Sequence, residues 1–202
     1  MQGFREVLDF WFGDQARARW FEPTPEFDQL VRERFGPLVA RAARGDLKAW
    51  EATPEGALAL CILLDQMPRN IFRGEARAYA TDEQARAVAE RALEQGFDGE
   101  LAGDQKQFIY LPFMHSESFS NQLRCLALFE AAGLLEGRRH AEDHVDVIRR
   151  FGRFPHRNAA LGRASTPEEE AFLRTSSHSW GQASSRAQAS APGFRPRQRE
   201  EP

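Results

Sequence analysis

Cysteine is scarce: the 202-residue chain has only Cys61 and Cys125. Each lies in an apolar run, "LALCILL" and "LRCLALF", with the character of a helix interior. Buried free thiols are expected there. Neither a disulfide framework nor a cysteine metal site is expected, and a reducing cytoplasm fits. No run of 18 apolar residues occurs, so no membrane-spanning helix is expected. The opening "MQGFREVLDFWFG" has Glu6 and Asp9 inside its apolar stretch and does not read as a signal peptide. Positive charge is not in excess. The formal net charge of −3 argues against a nucleic-acid or anionic-membrane partner.

One further absence is local. Between Val147 and Pro167 there is no Asp and no Glu. The same window holds Arg149, Arg150, Arg153, Arg157, Arg163 and His156, interleaved with Phe151, Phe154 and Leu161. Such a segment needs either an anionic ligand or carboxylates from elsewhere in the chain.

Hydrophobic residues make up 42% of the chain, including sixteen Phe and four Trp, enough for a full core. A single all-helical domain is expected over residues 1–174. A Ser-, Ala-, Arg- and Pro-rich tail without apolar periodicity follows over 175–202 and reads as disordered, with Trp180 and Phe194 isolated in it.

The punctuation is helical. Thr-Pro-Glu occurs at Thr24, Thr53 and Thr166. The Thr hydroxyl accepts from an orphan N–H, Pro suits the first helical position, and the acid suits the positive end of the dipole. "TDEQ" from Thr81 has capping-box spacing. Gly36-Pro37 predicts a kink or a break, and Pro68 predicts the end of the apolar helix "GALALCILLDQM". "FIYL" predicts a short helix ended near Pro112. Later helices close at Gly96, Gly133 and Gly152. The expected architecture is all-α, with antiparallel helix pairs in a bundle or short right-handed solenoid.

Three polar segments interrupt this pattern, and they supply the candidate ligand-binding residues. They are Asp65, Gln66, Arg69, Asn70 and Arg73; then His115, Glu117 and Gln122; then Arg153, His156, Arg157, Asn158 and Arg163, with His144 nearby. The arginines have no carboxylate beside them in sequence. Guanidinium binds carboxylate and phosphate bidentately at any working pH. A small anionic metabolite or an acidic peptide end is therefore the expected ligand; the structural alternative is a tetratricopeptide-like protein-interaction module whose arginines recruit carboxylates through space. Asn70 and Asn158 are expected to satisfy loop backbone, and Gln122 to be half-buried. A histidine general base oriented by Asp65 or Glu117 is the alternative that would make the protein an enzyme. Ser116, beside His115 and Glu117, has no nucleophile elbow around it. His140 and His144 are four apart but lack the His-Glu-x-x-His pattern, so no metal and no other cofactor is expected. The oligomeric state is not legible.

"VLDFWFG", "ILLDQMPRNIFRG", "YLPFMHSES" and "HVDVIRRFGRFPHRNAALGRASTPEE" stand in this order over roughly residues 4–173. Together they resemble the bacterial domain of unknown function 924. The resemblance implies an all-helical fold similar to tetratricopeptide-repeat proteins and implies no activity. It places His144 inside the motif and leaves His140 and the tail outside it.

Overall fold

The computed structural model describes residues 3–20 and 24–175; the expected tail lies outside the described residues. The described residues are helices joined by turns and short loops, with no strand among them. It runs through α1 (Phe4–Trp11), α2 (Asp14–Arg17), α3 (Pro25–Ala43) and α4 (Pro54–Cys61). A π-helical turn, Ile62–Gln66, leads directly into α5 (Met67–Ile71). Then come α6 (Asp82–Glu94), α7 (Gly103–Met114), α8 (Phe119–Ala131), α9 (Leu135–Phe151) and α10 (Pro167–Thr175). Short 3-10 turns at Lys48–Ala52, Ala76–Tyr79, Phe97–Glu100 and Pro155–Arg157 join them.

The three Thr-Pro-Glu starts behave as their chemistry requires. Thr24 and Thr53 accept from the Phe27 and Gly56 amides at 3.2 and 3.1 Å. Thr166 accepts from Glu169 N at 3.2 Å, and Glu169 accepts from Thr166 N at 2.8 Å, which closes a reciprocal capping box. Gly133 and Gly152 both carry a φ of +67°, the left-handed turn that suits glycine after a helix.

The helix α4 is the centre of the core, with Ala57 to Cys61 all buried. It packs on α1, α6 and α7, while α8 packs on α7 and α9. Both thiols are free and buried, Cys61 in α4 and Cys125 in α8. The close packing leaves no room at Gly56. A Cβ there would sit 2.1 Å from the Trp50 carbonyl oxygen, which is backbone and cannot swing away. Gly56→Ala is expected to cost about 1–3 kcal/mol, the range for overpacking. A urea titration of the variant measures it, and an unchanged midpoint would contradict the fit.

Proline fails to end a helix at three places. The helix α3 passes through Pro37 without a break. Pro37 is exposed, so the carbonyl it leaves without a donor, that of Glu33, lies toward water. Pro68 does not end the apolar helix; the chain continues through the π turn into α5. The Leu64 carbonyl, four residues before Pro68, accepts instead from Thr81 Oγ1 at 2.5 Å. The Thr81 side chain makes no capping bond to α6. Pro112 lies inside α7, where Phe108 to Met114 are all buried and packing overrides propensity.

Candidate functional site: a closed ring around His115

The π turn and α5 place Asp65 and Arg69 beside the C-terminal end of α7. Asp65 is fully buried. His115 Nδ1 lies 2.8 Å from both of its carboxylate oxygens. Arg69 Nη1 lies 3.0 Å from Asp65 Oδ1, and Gln66 donates to Oδ2. Arg69 also reaches Asp82, in the first turn of α6, at 2.9 Å. Asp82 in turn holds Arg157 at 3.3 Å. Arg157 Nη2 then donates to the His115 carbonyl at 2.8 Å. The contacts therefore close a ring from Asp65 through Arg69, Asp82 and Arg157 back to His115. The ring grips His115 at both its imidazole and its backbone.

Arg157 is 5% exposed, and its guanidinium lies 4.6 Å from the ring centroids of both Tyr79 and Phe154. Burial and the neighbouring Arg69 charge lower its pKa to about 10. Its buried Nε–H has no acceptor among the described residues.

The protonation states follow from this packing. Burial alone would raise the Asp65 pKa, but the Arg69 guanidinium and then His115 outweigh it and draw it down to about 2. Burial pushes His115 below its ordinary value. Asp65 opposes this and the Arg69 charge adds to it. His115 is thus neutral beside an ionised Asp65 near pH 7. A carboxylate only accepts, so Nδ1 carries the proton and Nε2 carries the lone pair. Nε2 makes no hydrogen bond to any described residue, and the His115 side chain retains 17% exposure.

Two further histidines border the ring. His144 lies with its ring centroid 6.4 Å from His115 and 5.5 Å from Phe154, and its Nδ1 is 2.7 Å from the His140 carbonyl. Burial and then the proximity of His115 take it down to about 3. His156 lies 5.5 Å from Phe154 and is held well below its usual value by burial and by Arg157.

An adjoining network gathers the other late residues. Arg163 makes a two-pronged pair with Glu117 at 2.7 and 2.9 Å, and Glu117 also accepts from the Phe154 amide at 2.8 Å. Arg163 Nε donates to Asn158 Oδ1 at 3.0 Å. Asn158 donates to Glu169, and Arg153 pairs with Glu169 at 2.7 and 2.8 Å. The hydrogen bonds from Arg153, followed by that from the Thr166 amide, bring the Glu169 pKa down to about 2.

Asp65, Gln66, Arg69, His115, His144, His156 and Arg157 therefore come together, with Glu117, Arg153, Asn158 and Arg163 alongside. Asn70 and Arg73 do not join them. They hold Asp28 of α3, at 2.8 and 2.6 Å. Gln122 is fully buried rather than half-buried and donates to the Met114 and Ser116 carbonyls at 2.6 and 2.5 Å, closing the end of α7. Asn70 and Asn158 bind side chains rather than loop backbone. Ser116 Oγ accepts from Ser118 N and Asn121 Nδ2, so it shapes the turn before α8. No three His, Cys, Asp or Glu side chains among the described residues are grouped to hold a metal ion.

Five contributors were not legible in the sequence: Asp28, Tyr79, Asp82, Phe154 and Glu169. Asp82 and Glu169 read as helix-start acids, and they are; nothing local says that each also faces an arginine. Glu169 stands three residues after Thr166, so its capping box was open to reading.

The fold and this ring define an all-helical protein built around a buried Asp–His pair clamped by two guanidinium groups. The family model described as a bacterial protein of unknown function (DUF924) matches residues 7–177. The chain belongs to that family. Among solved structures it is similar to a protein of unknown function from Agrobacterium tumefaciens, with 42% sequence identity and a TM-score of 0.81. The likeness covers 86% of this chain and 97% of that one. No curated protein matches.

Proposed function

We propose that this protein is an acid–base catalyst acting on a small polar molecule, with His115 Nε2 as the proton acceptor. The observation that carries this reading is the Asp65–His115 contact, with Nδ1 bound to a buried carboxylate and Nε2 left open. Asp65 fixes the tautomer and ring orientation and stabilises the imidazolium that forms as Nε2 takes a proton. Arg69, Asp82 and Arg157 hold the pair in place.

Simple anion capture is less well supported. Arg69 and Arg157 are matched by Asp65 and Asp82, so the ring carries no surplus positive charge. Arg73, Arg153 and Arg163 also hold carboxylates. A phosphorylated or carboxylated substrate would be recognised mainly by its remaining polar groups.

The test is a thermal-shift screen of the full chain against small carboxylates, phosphates and neutral polar metabolites, with mass spectrometry of the incubated mixtures. A ligand at 100 times its Kd adds about 2.7 kcal/mol of stability. The expected compound stabilises both wild type and His115→Gln. It is converted by wild type roughly 10²–10⁴ times faster than by the variant, the range for a lost general base. Equal conversion by the variant, or no shift with any compound, rejects the assignment.

The pairing of these arginines also supports a second reading, in which the ring is architecture and the protein a tetratricopeptide-like interaction module. The succession α6 to α9, each helix packed on the next, suits such a scaffold. Exposed Phe119 and Leu123 on α8 would then belong to the contact surface.

A further inference from the structure

We infer that residues 153–175 form a lid over His115 that opens as one unit from the end of α9. The inference gives the His115 reading its route of access and rests on that reading for its functional meaning.

Apolar packing divides the molecule. Val147, Ile148 and Phe154, with Phe151 and Phe172 against them, form a small cluster of their own. The main core, from Val7 to Ala141, does not include them. Within residues 153–175 only Phe154 is a fully buried large side chain. A segment that buries so little apolar surface belongs to the low end of the stability range within a fold and opens before the core does.

Polar contacts hold this segment to the body. Arg157 reaches Asp82 and the His115 carbonyl. Glu117, in the turn after α7, grips Arg163 and the Phe154 amide. Water can replace each of these contacts at small net cost when the segment lifts, whereas it cannot replace apolar packing. The closed form also carries an uncompensated group. Arg157 lies buried with its Nε–H lacking an acceptor, and lifting the segment hydrates it. Gly152, at φ +67°, marks where the segment leaves α9. With the lid closed, Arg157 completes the ring at the His115 carbonyl and Phe154 lies against its guanidinium; with it open, the ring loses that member and its His115 side meets solvent.

Hydrogen exchange read by mass spectrometry tests this without any substrate, so its failure is distinguishable from a failure of the catalytic assignment. In the wild-type full chain, amides of residues 154–166 should exchange at least 10-fold faster than those of α4 and α7. Glu117→Gln should accelerate that segment about 10-fold more and leave α4 and α7 unchanged. Labelling of His115 by diethylpyrocarbonate, mapped to its peptide, should accelerate in step. If the variant does not fold, wild type at low and high salt replaces it, with several-fold faster exchange and labelling expected at high salt. Protection of residues 154–166 equal to that of α4 and α7 overturns the lid. So does faster exchange there with unchanged His115 labelling.

Discussion

At pH 5 the protein should be less stable than at pH 7 by about 2 kcal/mol from His144 alone, with His156 adding to the loss. Two half-buried histidines, His144 and His156, have folded-state pKa values far below the 6.5 of an unfolded chain, His144 at about 3. Burial is the first cause for both; the proximity of His115 and the charge of Arg157 follow. Below pH 6.5 the unfolded chain takes up protons that the folded chain refuses, so stability falls as pH falls. His144 contributes about 1.4 kcal/mol per pH unit, about 2 kcal/mol over one and a half units, and His156 acts in the same direction. His115 is shifted in the same direction and adds to the loss. Asp65 has the opposite charge type and a later window. Its contribution is complete above about pH 3.8 and is lost as pH falls through about 2. Histidines therefore govern the range between pH 6.5 and 4, and carboxylates the range below it. Arg157, on the Pro155–Arg157 turn, places its positive charge beside both histidines, and Arg69 of α5 adds to it at His156. Urea midpoints at pH 5, 6 and 7 measure the slope. A His144→Asn/His156→Gln double variant should flatten it, and a wild-type midpoint that is constant over the range would refute the assignment.

Asp65→Ala should lower stability at pH 7 by about 3–5 kcal/mol, the cost of removing one partner from a buried charged pair. Three groups lose a carboxylate partner at once: His115 Nδ1, Arg69 Nη1 and the Gln66 amide. Arg69 keeps Asp82 and the backbone carbonyl of residue 65, but Asp82 alone then faces two guanidinium charges, those of Arg69 and Arg157. In a chain of this size the melting temperature should fall by roughly 10 °C. Asp65→Asn retains an acceptor of the same shape and should lose less. The apolar pair Asp65→Leu/Arg69→Met removes both charges together and should lie closer to wild type than Asp65→Ala does. A loss under 1 kcal/mol in Asp65→Ala would mean that the ring does not hold this part of the molecule together.

Local chemistry determined much of this protein. The helix starts at Thr24, Thr53 and Thr166 were readable because a cap, a proline and an acid act within one turn. The buried α4 was readable because "GALALCILL" leaves it no polar face, and the burial of the Cys61 thiol follows from that run. The polar segments around Asp65, His115 and Arg157 stood out as breaks in the apolar pattern.

Partnership across the chain was decided only in three dimensions. The acid-free segment after Val147 obtains its acids from Asp82 of α6, from Glu117 after α7 and from Glu169 of α10. Arg157 and Asp82 are 75 residues apart, and no local preference links them. The same holds past Pro68, where the Thr81 hydroxyl, from a distant part of the chain, reaches the Leu64 carbonyl. A sequence lists which side chains can carry charge or hydrogen bonds. Which of them face each other depends on how the helices pack, and burial then sets the strength of each pairing and the protonation state of His115.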